Sequence, residues 1–541
     1  MKPTTSSPMI LFAWLYVGIT TLGCLPHVLG VQEEESEPAL MKALGGLALS
    51  VLGLHQASEP RLLEGGDDGI EDRPPVSNDT SFDIYFSFVP RYFTTLLGNN
   101  KYERFEGLCF KEISISSQID ENGFIITLDL AKPVSLFCTE TLLFGNVDKV
   151  VSKTYLKTGR KSLKWRLGGR NAAEEKVYAF GLRVPLSRAI RSVASTVTYL
   201  KSRRYTMGYL SRFAGISLNK RHPSATEHIP SPTEVASGDI LVLLREEGKA
   251  SMIAWNSGSL IDHVVIIVRE PETGEPYVIE SFGPTRVRKV LYTEYIKQYA
   301  DKYHNMVYLP LKEEHSKVFN AKKAWHLFAD TFEGYEYGWE NFFFAWLDTK
   351  EGNYPCLPLD NFETCFTWQA AEVFLGFLDR HKLTKPLAEK YVLQGFRHRL
   401  NTTEKLNMSQ IVKIADKKIE GGAAVLATMP EEDHWLYDTH RFGKKAKGPA
   451  RVCSSLTCEM LRAGGALGDK TLRCSEFTPF ETYSLDIFDG SRAIQLSGRY
   501  TLNLSEPYVL RMGQKTVYDH MGEHCESRVT KDSFYYRTPG C

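Results

Sequence analysis

From Ser237 to Ser281 the chain alternates between short apolar runs and turn-forming residues. The runs are Asp239 to Leu244, Val264 to Val268 and Tyr277 to Ile279. Runs this short, rich in Ile and Val and bounded by Gly, Pro and Glu, predict β-strands. A second β pattern lies upstream. FDIYFSFV, FKEISISSQI, GFIITLDL and KVYAFGLRV alternate or run apolar, and Glu121-Asn122-Gly123 supplies a hairpin turn. Helical spacing dominates afterwards. Val318, Ala321, Ala324, Trp325 and Phe328 predict a helix within Lys312 to Phe332. The run RVCSSLTCEMLRAGGALGD puts Leu456, Met460 and Leu461 on one face, with Ser454 and Ser455 at its start and Gly464-Gly465 at its end.

These patterns predict an α+β protein of several domains. The expected divisions are a signal peptide (1–30), an acidic linker or propeptide (31–80) and a β-rich N-terminal domain (81–200). A linker (201–235) and a catalytic domain (236–490, with a helical insertion at 354–450) follow, and a disulfide-bearing extension (491–541) ends the chain. At 541 residues a single core is not expected. Lys+Arg and Asp+Glu balance at 65 each, so composition offers no basis for nucleic-acid binding. The apolar run Met9 to Gly23, followed by small residues near Gly30, has the form of a secretory signal; left uncleaved, it would tether the chain to a membrane. Four Asn-x-Ser/Thr sequons, at Asn78, Asn401, Asn407 and Asn503, fit a glycosylated secretory chain.

The candidate chemistry starts with His263, at the mouth of the middle strand, and Glu280, at the end of the next. An imidazole and a carboxylate on neighbouring strands can form a base and its orienter. The nucleophile is sought among the cysteines. Of 10 in all, Cys24 leaves with the signal, and the odd remainder in an oxidising compartment requires at least one thiol to be free or linked to another molecule. Pairing by proximity gives Cys109–Cys138, Cys356–Cys365, Cys458–Cys474 and Cys525–Cys541. Cys453 is then left at a helix N-terminus, where partial positive charge favours the thiolate. Cys365, also placed near a helix start, is the rival. Tyr337, after a glycine-containing turn, is expected at the site wall. The N–H groups at the start of the Cys453 helix, Ser454 among them, are expected to receive an oxyanion. No metal-ligand spacing and no phosphate-binding glycine loop occurs, so neither metal nor cofactor is expected.

Gly238-Asp239-Ile240, Asp262-His263-Val264, Val278-Ile279-Glu280-Ser281, Gly334-Tyr335-Glu336-Tyr337 and Cys453-Ser454-Ser455-Leu456 follow one another in chain order. This series resembles the circularly permuted papain-like hydrolases of the NlpC and YiiX type, over about residues 232–488. The resemblance implies a permuted papain-like fold and a Cys453–His263–Glu280 triad that cleaves a peptide, amide or acyl bond through a thioacyl-enzyme. Asp262 stands where that group commonly has serine, Val264-Val265 replaces Val-Gly, and the histidine-to-cysteine gap is long, so the substrate is left open. Two other readings stay open: a non-catalytic secreted binding protein on the same scaffold, with a protein partner for the N-terminal β domain, and a lipid acyltransferase or lipase of the same fold.

Overall fold

The computed structural model describes residues 92–516, apart from breaks at 98–100, 167–175, 183–217, 223–227, 247–249, 251–252, 254–260, 348–355, 469–472 and 503–510 and a few shorter ones. The signal segment, the acidic linker, the FDIYFSFV run, Asn78, Asn503, Cys525 and Cys541 lie outside the described residues, as do the side chains of Cys356 and Cys365. The chain is mixed α and β, as expected, and forms two compact units.

The first unit comprises residues 1–197 together with 359–385. Its strands are β1 (Tyr92–Leu97), β2 (Lys101–Phe105), β3 (Phe110–Asp120), β4 (Gly123–Pro133), β5 (Glu140–Asn146), β6 (Lys149–Tyr155), β7 (Gly159–Arg166) and β8 (Lys176–Leu182). They make two four-stranded antiparallel sheets, β1-β8-β5-β6 and β2-β3-β4-β7. Alternate residues of both sheets meet in one core, including Ile113, Ile126, Leu128, Leu142, Phe144 and Trp165. Asp120 pairs directly with Gly123, so β3 and β4 form the hairpin expected around Glu121-Asn122-Gly123. Strand β5 is buried at every position. A strand buried at every position needs cover on both faces, and the helix Trp368–Arg380 supplies the second. Gly376 lies so close that a Cβ there would stand 2.0 Å from the Val147 carbonyl oxygen, and Tyr178 donates to Glu372 over 3.1 Å. Residues 354–450 therefore do not form one insertion in the catalytic domain. The apolar helix within them completes the β-rich unit, and the remainder returns to the second unit.

The second unit comprises residues 198–358 and 386–541. Strands β9 (Ile240–Arg245), β10 (His263–Arg269), β11 (Pro276–Ser281), β12 (Val287–Leu291) and β13 (His304–Leu309) precede β14 (Cys356–Leu359) and, in the first unit, β15 (Phe362–Cys365). Strands β16 (Tyr437–Arg441), β17 (Lys444–Gly448) and β18 (Ile494–Ser497) follow. The six-stranded antiparallel sheet has the order β12-β11-β10-β9-β13-β18. Leu241, Leu243, Val265, Ile267 and Val278 share a core with Tyr292, Tyr295 and Ile296 of helix α1 (Tyr292–Tyr299). The alternate positions Ile240, Val242, Leu244, Val264, Ile266 and Val268 are buried as well. Each such side chain contributes about 1.5–3 kcal/mol on leaving water.

Three sequence-based boundaries change. Residues 228–235 are bound to the sheet: the Arg269 guanidinium holds the Pro232 and Val235 carbonyls and Tyr292 donates to that of Pro230. The second unit runs past 490, because β18 is an edge strand of its sheet. The helix expected within Lys312 to Phe332 is broken. Phe319 is extended and packs on Gly464, and Asn320 caps a new helix, α2 (Ala321–His326), which continues as a π-helical stretch to Phe332. Gly238-Asp239 proves to be a structural corner. Gly238 has φ +98°, and a Cβ there would meet Leu311 at 2.4 Å. The buried Asp239 carboxylate accepts from the N–H groups of Ala236 (2.7 Å) and Leu311 (3.0 Å) and from the Tyr308 hydroxyl.

Candidate active site

Helix α3 (Trp339–Leu347) follows the segment carrying Tyr337, and helix α4 (Met408–Lys418) lies in the polar stretch beyond. Helix α5 (Cys453–Gly464) starts on the expected cysteine and ends at Gly465, whose left-handed φ of +84° lets the chain turn away. It packs against β10 and β11. Its entry is fixed two residues ahead of Cys453, where the Arg451 carbonyl accepts from the Ser281 hydroxyl (2.7 Å) and from Gly338 N–H (3.0 Å). Glycine is needed at 338, since a Cβ would stand 2.2 Å from the Arg451 nitrogen. The disulfide Cys458–Cys474 ties the middle of the helix to the following loop, and the Arg451 guanidinium binds Glu459 over 3.0 Å.

Cys453 is the one free cysteine among the described residues, and it is buried. The His263 ring and the Val264 N–H are the polar groups that act on its thiol, both in favour of the ionised form. The other side of the relay is Glu280, whose Oε2 lies 3.0 Å from His263 Nε2. Cys453, His263 and Glu280 are 5%, 4% and 1% exposed, so the three act on one another with little screening. Burial raises the thiol's proton affinity; the His263 bond and charge, the Val264 N–H and the Arg245 charge outweigh it, and the pKa falls below the usual thiol range. Burial opposes charge on His263, but its bonds to Cys453 and Glu280 prevail and raise its pKa to about 9. Burial likewise opposes ionisation of Glu280; the bond to His263 and the charges of His263 and Arg288 hold its carboxyl below the ordinary range. The three shifts run in the direction that favours thiolate, imidazolium and carboxylate together.

Tyr337 is buried, its ring 4.6 Å from that of Trp339. Burial and then the charge of Cys453 keep its hydroxyl protonated, and so able to donate. The Ser454 side chain is engaged elsewhere. Its hydroxyl donates to the Phe477 carbonyl over 2.6 Å and pins α5 to the loop after the disulfide. What Ser454 can offer an oxyanion is its main-chain N–H, since the first turn of a helix has no intrahelical acceptors and no side chain caps this one. Cys365 ends β15, three residues before the helix Trp368–Arg380, and belongs to the first unit, whereas His263 belongs to the second. Of the expected disulfides, Cys109–Cys138 and Cys458–Cys474 are formed.

Two contributors, Arg288 and Arg245, were not singled out from the sequence. Arg288 donates to Glu280 through Nε (2.8 Å) and Nη2 (2.7 Å). The signal for it was the hairpin register, which sets Glu280 directly opposite Arg288. Asp262 accepts from Arg245 through its N–H (2.7 Å) and Nε (2.6 Å), which explains an acid before the histidine. It anchors a guanidinium whose charge favours the thiolate.

Among the described residues, Asp433, Glu459 and Cys474 approach one another as metal ligands do. Their bonds are already committed: the Cys474 sulfur is in a disulfide, and Arg462 pairs with Asp433 (2.7 Å) and with Glu459. The two disulfides are compatible with a secreted or lumenal chain, and no helix of the described residues is long and apolar enough to cross a membrane. No family model, curated protein or solved structure matches the chain.

Proposed function

We propose that the protein is a secreted cysteine hydrolase whose second unit has the permuted papain-like arrangement, with the histidine strand ahead of the cysteine helix. The observation that carries this reading is the hydrogen bond from His263 to the buried Glu280 beside a free, buried Cys453 at the start of α5 that interacts with the same imidazole. A buried strand histidine with a purely structural role does not require an unpaired thiol on one side and a charged acid on the other.

In this mechanism the Cys453 thiolate attacks the carbonyl carbon of an amide or ester. The oxyanion is received by first-turn N–H groups of α5, that of Ser454 among them, and by the Tyr337 hydroxyl. The C–N or C–O bond breaks as the leaving group takes the proton from His263. A water molecule then gives a proton to His263 and attacks the thioester, and the thiolate departs. Glu280 holds the ring and stabilises its cationic form throughout. Asn401 and Asn407 are exposed and suit glycan attachment in the same secretory reading.

Activated acyl esters test the proposal. A burst of released alcohol is expected, with an acyl adduct on Cys453 seen by intact mass and absent from Cys453→Ser. Turnover that survives Cys453→Ser unchanged, or no acyl adduct across short-chain, long-chain and aminoacyl esters, contradicts it.

A further inference from the structure

The hairpin β16–β17 lies outside the triad and has features that catalysis does not use. Arg441 pairs with Lys444, which leaves Phe442-Gly443 as a two-residue loop with both φ angles positive, +50° and +78°. Such a turn favours Asn-Gly, because the left-handed region disfavours bulky L side chains. A phenylalanine stands there instead. It rests on Gly334, yet the side chain is 56% exposed, and Leu436 at the hairpin's root is 50% exposed.

Around this tip Lys444, Lys445 and Lys447 are exposed, and none forms an ion pair with a carboxylate among the described residues. The hairpin's own acid is Asp438. Since the whole chain carries formal net charge +0, this positive charge is local. The hairpin is also firmly seated. Phe442 N–H donates to Gly334 O (2.7 Å), Glu336 N–H to His440 O (3.1 Å) and the Tyr335 hydroxyl to Lys447 O (2.9 Å).

We propose that this hairpin docks the protein on an anionic lipid surface. Unpaired lysines meet acidic headgroups, and an aromatic ring at the tip enters the interfacial layer. A soluble polyanion would engage the lysines but gain nothing from an exposed ring held in a disfavoured backbone conformation. The inference does not depend on the hydrolase reading.

Sedimentation of the full-length protein with phosphatidylcholine vesicles, with and without phosphatidylserine, tests it. Binding is expected to the anionic vesicles only and to weaken with salt. Lys444→Glu with Lys445→Glu and Lys447→Glu should weaken it by on the order of 100-fold or more. Phe442→Asn is the sharper variant: asparagine accepts the left-handed conformation, so thermal stability should hold or rise while vesicle binding falls. Equal binding to neutral and anionic vesicles, no binding to either, or full binding by Phe442→Asn would each overturn the proposal. The last result, with soluble heparin competing, would instead identify a polyanion site.

Discussion

Glu280 sits directly across the β11–β12 pairing from Arg288, and the two oxygens of its buried carboxylate are divided between His263 and that guanidinium. Groups favouring negative and positive charge therefore alternate from Cys453 through His263 and Glu280 to Arg288. Arg288 also reaches the Tyr299 hydroxyl over 3.1 Å and lies 4.7 Å from the centre of the Phe282 ring, which makes a T-shaped contact with His263. Removing it strands a buried charge. Arg288→Gln should lose roughly 2–4 kcal/mol of stability, measured by urea unfolding, and Arg288→Lys should recover part of that loss. Unchanged stability and unchanged thiol reactivity in Arg288→Gln would mean the carboxylate is not held from behind.

The pH dependence follows from the same charges. Cys453 ionises below the usual thiol range and His263 loses its proton near pH 9. In the proposed mechanism turnover needs thiolate and imidazolium together, so it should rise through the lowered thiol pKa, stay level, and fall as pH passes about 9. Thiol alkylation needs only the thiolate and should show no alkaline fall. A turnover profile still climbing well above pH 9 would contradict the assignment of His263 as the acid.

Ser454→Ala separates the helix anchor from the oxyanion site. The hydroxyl bonds the Phe477 carbonyl, so its loss should cost about 1–3 kcal/mol, while the acylation rate of the folded variant changes little. A large rate loss with unchanged stability would place the side chain in the reaction.

The Cys458–Cys474 disulfide closes a loop of sequence separation 16. By chain entropy its removal in Cys458→Ser with Cys474→Ser should cost about 3 kcal/mol, read as a lower melting temperature with Cys453 still reactive at low temperature. If the double variant melts like the parent, the bond contributes nothing to anchoring α5.

Much of the site was legible because its parts sit at element ends. His263 opens a strand, Glu280 nearly closes one and Cys453 opens a helix, so short-range patterning located all three. Arg288 was not, because its role is a cross-strand pairing, and strand β12 is too polar at its middle positions to stand out as an apolar run. Trp368–Arg380 was readable as an apolar helix, but its allegiance to the β-rich unit depends on the fit of Gly376 against Val147, which no local pattern reports. Ser454 illustrates a different limit: a serine at a helix start serves equally as an oxyanion donor or a clamp, and only the position of the Phe477 carbonyl decides.

Iodoacetamide labelling of the native full-length protein across pH, followed by peptide mapping, tests the central claim most directly. Modification is expected on Cys453, half-maximal well below the free-thiol pKa of about 8.5, with His263→Ala moving the midpoint upward. A Cys453 that stays inert until the free-thiol range and is indifferent to His263→Ala, or one found in a disulfide, would contradict the account.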